Sequence, residues 1–192
     1  MLKYSVNLFA EEAENIVRNN ESDVANTLRL LKPKLESLLT SEIPKETFIP
    51  RNDRYAMNLV HMPKDKIFSI IAGVWKSGQT TPIHDHLTWA LVGVYSGKER
   101  ESIYKRIDDR SDPKIAKLEL VSDSTNEKGH VTVLSDAGIH KVSNESQEPA
   151  YSIHVYGRDI GNTERHSYDP ISGNISTFKS GYCNVLRDLD PL

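Results

Sequence analysis

The stretch PIHDHLTWALVGVYSG, residues 82–97, places two histidines one residue apart, His84 and His86, at the start of an apolar run that ends in a glycine. In an extended strand, side chains at positions i and i+2 point to the same face, so both imidazoles project together while Asp85 points away. Two neighbouring imidazoles can chelate a metal ion. A half-buried strand whose histidines make ordinary hydrogen bonds would have the same sequence pattern, so the pair alone leaves both interpretations open.

The spacing of the glycines around this pair resembles the first motif of the cupin barrels. A second segment, GHVTVLSDAGIHKVSN (residues 129–144), is similar to the second cupin motif. In cupins the two motifs bring their histidines to one point inside the barrel, so the resemblance implies a metal site of His84, His86 and His140. The glutamate ligand of many cupins falls at Ala90 here, and alanine cannot bind a metal.

The rest of the chain favours a mainly β fold, a cupin double-stranded β-helix (jelly-roll barrel) with N-terminal α-helices. Up to about residue 50, apolar residues recur at helical spacing in two series; the second follows a candidate N-cap at Ser22 and contains Pro33, which predicts a kink or a break. Farther on, the period changes to two. The β-type runs are residues 68–75, 89–96, 99–106, 114–121, 130–135, 149–157 and 174–178. We expect one cupin domain over residues 1–192, helical over about 1–50 and a β-barrel over about 51–192.

The run PAYSIHVYG, residues 149–157, carries a second polar set. Period-two alternation places Ser152, His154 and Tyr156 on one face of a strand. Three such side chains are costly to bury unless they satisfy one another's hydrogen bonds. We therefore expect a relay in which the serine hydroxyl orients the imidazole and the imidazole orients the phenol, although a polar, solvent-facing side of a strand would show the same pattern.

Composition excludes several classes of function. The formal net charge of -3 argues against a basic surface for nucleic acid. No apolar run approaches the roughly 20 residues that span a bilayer, and the first residues lack a signal-peptide pattern. The single cysteine, Cys183, rules out an intramolecular disulfide or a thiolate cluster. We expect a cytoplasmic protein whose partners are small molecules, with no nucleic acid and no membrane; the sequence does not indicate an oligomeric state.

The segments HDH, GIHKVSN and SIHVY together resemble the cysteine dioxygenase family of thiol dioxygenases, from about residue 55 to about residue 169. The resemblance implies one mononuclear Fe(II) ion held by the three histidines, a small thiol that binds it as thiolate, and O2 that converts the sulfur to a sulfinic acid. It also implies that Ser152, His154 and Tyr156 form an outer-sphere triad, with the tyrosine hydroxyl near substrate and O2. Three imidazoles would equally accept Zn(II), so the ligands alone do not select iron.

Departures from the family pattern bear on the substrate. Family members with a cysteine crosslinked to the active-site tyrosine carry it close to the position of Ala90, so this chain cannot form that crosslink. Their carboxylate-binding arginine corresponds to Met57, which makes L-cysteine a poor candidate. The run YGRDIGNTERHSYDP, residues 156–170, is similar to the 3-mercaptopropionate dioxygenase branch, in which the matching Arg165 holds the substrate carboxylate; Arg158 is the alternative.

Other functions stay open at this point. Cysteine dioxygenase activity is one, and another is a three-histidine cupin dioxygenase that cleaves a carbon–carbon bond in a dicarbonyl compound. A non-enzymatic cupin sensor is a third. Within the preferred function, the sequence does not separate 3-mercaptopropionate from mercaptosuccinate or another thiol acid.

Overall fold

A computed structural model describes residues 4–185 of the chain, in which two helices precede a series of strands. No helix in this part of the chain is long and apolar enough to cross a bilayer. The helices are α1 (Val6–Asn19) and α2 (Val24–Leu39). The strands are β1 (Ala56–His61), β2 (Ser69–Trp75), β3 (Ile83–Asp85), β4 (Ala90–Ser96), β5 (Lys98–Arg106), β6 (Leu118–Glu127), β7 (Val131–Leu134), β8 (Ile139–Ser143), β9 (Ala150–Tyr156), β10 (Arg165–Tyr168) and β11 (Ile175–Phe178).

Helix α2 differs from the prediction at two points. Its N-cap is Asp23 and not Ser22, because the Asp23 carboxylate accepts a hydrogen bond from a first-turn backbone N–H at 2.9 Å. The helix also continues through Pro33 instead of breaking there. A proline inside a helix costs about 3 kcal/mol, but Leu31 and Leu35 on either side of it are fully buried and stabilise the helix by roughly 2 kcal/mol each.

The strands form two antiparallel sheets. The five-stranded sheet has the order β1-β2-β9-β4-β7, and the six-stranded sheet has the order β11-β10-β3-β8-β5-β6. Neighbouring strands are mostly distant in sequence, as expected when a chain alternates between two facing sheets. The cupin double-stranded β-helix with N-terminal helices that the sequence predicted is confirmed.

The strand predicted at residues 114–121 is displaced toward the C-terminus, to β6 at Leu118–Glu127. This strand lies at the edge of its sheet and pairs with β5 along its length, while most of its side chains are exposed. Backbone hydrogen bonds to β5 therefore hold this strand, because it has no apolar face to bury. Its sequence accordingly lacks the alternation of apolar and polar residues from which a strand is predicted. At the predicted start of the strand, two backbone N–H groups bond to side chains. The N–H group of Lys114 donates to the carboxylate of Asp112, and that of Lys117 donates to the carboxylate of Asp108.

The helices cover the outer face of the five-stranded sheet. Four fully buried leucines of α2 pack with α1 and with apolar side chains of β4 and β9; they are Leu31, Leu35, Leu38 and Leu39. A Cβ at Gly93 would lie 2.9 Å from Leu39 Cδ1, so the glycine lets α2 lie close against β4. On β9, Ile153 and Val155 face this core. The alternate residues of β9 therefore face the inside of the barrel.

Candidate metal centre

Three histidines converge inside the barrel. His84 on β3 is directly opposite His140 on β8, and His86 follows the last residue of β3. The Nε2 atom of His86 lies 3.1 Å from that of His84 and 3.3 Å from that of His140. The side chains are buried, with 5%, 0% and 1% exposure for His84, His86 and His140. The three predicted ligands thus present one nitrogen each to the same small space, where they could hold a metal ion.

Hydrogen bonds fix which nitrogen of two rings faces that space. The Nδ1 atom of His84 lies 3.0 Å from the carbonyl oxygen of Pro82, which can only accept, so Nδ1 carries the proton. The Nδ1 atom of His140 likewise donates to Glu101 Oε1 at 2.7 Å. Both rings therefore direct an Nε2 lone pair inward. Facing lone pairs repel each other unless a cation lies between them, so this donor set fits a divalent metal ion.

The charge states of the surrounding groups agree with that fit. Burial is the main cause that lowers the pKa of His84 and of His86 well below the usual 6.5, and the proximity of His140 adds to it. Both rings are therefore neutral ligands at neutral pH. Burial raises the pKa of Glu101, but the interaction with His140 and the hydrogen bonds from Thr132 and Asn126 together outweigh it, so the net pKa is below its ordinary value. The ionised Glu101 also accepts from Thr132 at 2.6 Å. An ionised carboxylate behind the ring makes His140 a stronger donor to a metal.

The predicted relay on β9 is present as a continuous hydrogen-bonded chain. Ser152 Oγ lies 2.7 Å from His154 Nε2, and His154 Nδ1 lies 2.8 Å from the Tyr156 hydroxyl oxygen. Burial lowers the pKa of His154 to about 3 and raises the pKa of Tyr156, so the imidazole and the phenol are both neutral. The Tyr156 ring lies against His86 with a centroid separation of 4.9 Å. The relay therefore ends next to the histidine cluster.

A stack of aromatic rings holds the relay in place. Trp75 on β2 stacks on His154 at 5.6 Å, and Tyr55 also stacks on Trp75, at 5.8 Å. A Cβ at Gly73 would lie 2.3 Å from the Trp75 ring and 3.0 Å from Ser152 Oγ, so only glycine leaves room for this arrangement. The stack could not be predicted from the sequence, because its three rings come from separate segments and neither Trp75 nor Tyr55 belongs to a motif.

The two candidate arginines lie in different environments. Arg165 at the start of β10 is 2% exposed and faces the cavity, whereas Arg158 is exposed to solvent. Arg165 Nη1 donates to the carbonyl oxygen of Ile160 at 3.0 Å, and its guanidinium lies 4.5 Å from the Phe178 ring centroid. Within residues 4–185 its Nε has no hydrogen-bond partner and no carboxylate forms a salt bridge with it. Burial lowers the pKa of Arg165, but a guanidinium still carries its charge at neutral pH.

The arginine and the relay border one cavity. Its wall combines apolar, aromatic and basic side chains, and none of the described residues that line it is acidic; they are Tyr55, Met57, Ile71, Gly73, Trp75, Thr81, His84, His140, Val142, His154, Tyr156 and Arg165. Met57 supplies no charge to this wall. Ala90 is directly opposite Tyr156 in the sheet, and its methyl side chain cannot form a crosslink to the phenol.

The chain is similar to several solved structures and to the model of one protein family. Similar solved structures include a protein with a double-stranded β-helix domain from Klebsiella pneumoniae subsp. pneumoniae MGH 78578, with 16% identity, 69% of this chain and 91% of that chain covered, and a TM-score of 0.45. A Cupin 2 conserved barrel domain protein from Salinispora arenicola CNS-205 has 14% identity, coverage of 62% and 87%, and a TM-score of 0.41. The model of the family described as cysteine dioxygenase type I matches residues 10–169, which is most of the sequence and contains every residue of the site. The chain therefore belongs to the cysteine dioxygenase type I family, a family of cupin thiol dioxygenases that use iron.

Proposed function

We propose that this protein converts a small mercaptocarboxylate and O2 into the corresponding sulfinate, with Fe(II) as its metal and 3-mercaptopropionate as the preferred substrate. In the net reaction a thiolate gains both atoms of O2. The O–O bond breaks, two S–O bonds form, and O2 takes up all the electrons that sulfur gives up, so no further reductant is needed.

The observation that carries this proposal is the buried, unpaired charge of Arg165. Among the described residues, Asp85 is the carboxylate whose charge acts on Arg165, but the oxygens of Asp85 accept hydrogen bonds from His166 and Tyr168. A buried cation without an anion is costly, since one backbone carbonyl and one aromatic ring replace only part of its lost hydration. A substrate carboxylate would remove that cost through charge-assisted hydrogen bonds, and a guanidinium can form two of them in parallel.

The charge of the cavity favours a thiol acid without an amino group. Arg165 gives the wall a positive charge, which the neutral rings of His84 and His154 do not offset, and a divalent ion would add to that charge. A substrate that carries a thiolate and a carboxylate has two negative charges, one to neutralise the metal ion and one to neutralise Arg165. The ammonium group of cysteine would enter a cavity without an acidic side chain among its described residues, where it would be repelled.

The three histidines would hold Fe(II) through their Nε2 atoms, with His84 and His140 oriented by Pro82 and Glu101. Bound there, Fe(II) would supply open positions for a thiolate and for O2 and would keep the sulfur deprotonated at neutral pH. The donor set has no carboxylate, which leaves more positive charge to attract an anionic substrate than a site with a glutamate ligand.

The side chains of this site divide the remaining work. Arg165 fixes the carboxylate end of the substrate, so that its sulfur end is directed toward the histidine cluster. The Tyr156 hydroxyl, next to His86, can donate a hydrogen bond to negative charge that develops on oxygen as it is transferred to sulfur. His154 and Ser152 hold the phenol in position, and apolar wall residues such as Ile71 exclude water.

Oxygen uptake by iron-loaded protein tests the proposal across five compounds: 3-mercaptopropionate, mercaptosuccinate, L-cysteine, cysteamine and a β-diketone. We expect the highest kcat/KM for 3-mercaptopropionate, and cysteamine, which has a cation and no carboxylate, to be at least about a hundredfold poorer. A higher kcat/KM for L-cysteine would refute the substrate assignment. Uptake with the diketone alone would refute thiol oxidation and favour carbon–carbon cleavage.

A further inference from the structure

A buried carboxyl group lies at the far end of the relay. Glu99 on β5 is 2% exposed, and its carboxyl group lies beside the Ser152 side chain. Its Oε1 atom has no hydrogen-bond partner among the described residues. A buried carboxylate with an unsatisfied oxygen and no cation is much less stable than the neutral acid. Burial accordingly raises the pKa of Glu99 to about 8.

None of the described residues around Glu99 supplies a positive charge that would reverse this preference. Lys98 and Arg100 flank it in sequence, but both are exposed and bond to carboxylates of Glu127, Asp123 and Glu145.

The titratable groups that interact with Glu99 favour its neutral form or are themselves neutral. On its own strand, the negative charge of Glu101 raises its pKa. On β6, the residue opposite Glu99 is Asn126, an uncharged amide. On β9, His154 and Tyr156 of the relay are both neutral, as described above.

The proton on Glu99 determines the direction of the hydrogen bonds along the chain. A protonated Glu99 can donate to Ser152 Oγ, and the serine then donates its single proton to Nε2 of His154. The neutral imidazole carries its proton on Nδ1 and donates it to the Tyr156 oxygen. The phenolic proton is then free to donate a hydrogen bond into the cavity.

An ionised Glu99 imposes the opposite direction. A carboxylate can only accept, so Ser152 donates to it and must accept from Nε2–H of His154. The bare Nδ1 then accepts the proton of the Tyr156 hydroxyl. In this state the tyrosine presents only lone pairs to the cavity and cannot stabilise negative charge on oxygen.

We infer that Glu99 is the fourth member of this chain, a positioning residue whose carboxyl proton directs the Tyr156 hydroxyl toward the reacting oxygen atoms. The inference rests on the proposed role of the Tyr156 hydroxyl as a donor. Turnover accordingly falls as pH rises through the ionisation of Glu99, with the substrate affinity set by Arg165 little changed.

Nitrogen-15 NMR of the histidine rings tests this inference in the full-length protein loaded with diamagnetic Zn(II), without any turnover. The His154 signals are assigned by their loss in His154→Asn. Between about pH 6 and about pH 10, the wild-type ring proton should move from Nδ1 to Nε2 as Glu99 ionises. In Glu99→Gln, which keeps a neutral donor of the same size but cannot ionise, the His154 signals should not move. Glu119→Gln on the exposed face of β6 is the matched control and should titrate like the wild type.

The iron-loaded enzyme gives a second readout. We expect kcat of the wild type to fall about tenfold or more from neutral to alkaline pH, and kcat of Glu99→Gln to stay level over the same range. A His154 proton that stays on one nitrogen in the wild type, or the same titration in Glu99→Gln, would overturn the inference. Because the NMR titration needs neither thiol nor O2, its failure is distinguishable from a failure of the proposed reaction.

Discussion

Replacement of His86 by alanine is expected to abolish stable iron binding and to lower thiol-dependent oxygen uptake by about a thousandfold, since a lost ligand removes several kcal/mol of stabilisation. His86 is the best position for this test because its Nδ1 has no hydrogen-bond partner among the described residues. Its removal therefore leaves no polar group unsatisfied, unlike removal of His140, which would leave Glu101 without its imidazole. Metal analysis and oxygen uptake of the purified variant provide the measurement.

Two variants make this result specific. His130→Ala removes an exposed histidine outside the site and should bind iron like the wild type. Glu101→Gln keeps an acceptor for His140 but loses the negative charge, and we expect its iron affinity to fall by about 10- to 100-fold. If His86→Ala bound one equivalent of iron and turned over normally, the three-histidine centre would be wrong.

Replacement of Arg165 by methionine is expected to raise the KM for 3-mercaptopropionate by about a hundredfold, because a buried guanidinium–carboxylate pair is worth roughly 3 kcal/mol. Methionine has a similar length and can still pack against Phe178, so the cavity wall is retained. The thermal stability of the substrate-free variant should equal or exceed that of the wild type, since the change removes an unpaired buried charge. Steady-state kinetics and a melting curve measure both effects.

The matched control for this variant is Arg158→Met, at an arginine that is exposed and does not line the cavity. It should leave the KM unchanged. A neutral thiol without a carboxylate, such as 2-mercaptoethanol, should be oxidised equally poorly by the wild type and by Arg165→Met. An unchanged KM in Arg165→Met would remove Arg165 from substrate binding.

The features that could be predicted from the sequence are those with a local period or a fixed motif spacing. Alternation along one strand placed Ser152, His154 and Tyr156 on one face, and the structure joins them by hydrogen bonds. Residues i and i+2 of a strand share a face, which predicted that His84 and His86 would lie together. Their meeting with the third histidine depends on two strands that pair across more than fifty residues, and only the resemblance to the cupin motifs supplied it.

The two glutamates of β5 show why other parts of the site could not be predicted from the sequence. The sequence KERE, residues 98–101, has charges on both faces of a strand and is typical of a solvated edge. In the fold, Lys98 and Arg100 face solvent whereas Glu99 and Glu101 are buried, because β5 lies between β6 and β8 in the wall of the barrel. Their partners on β7, β8 and β9 lie far along the chain, so no local sequence pattern predicted these contacts.

The most direct test of the proposed reaction is turnover of 3-mercaptopropionate by the iron-loaded protein under oxygen-18 gas, with mass spectrometry of the product. If the protein is a thiol dioxygenase, the product is 3-sulfinopropionate in which both new oxygen atoms carry the heavy isotope, formed in equal amount to the O2 consumed. A disulfide product, or a sulfinate with an oxygen atom from water, would contradict the proposed function.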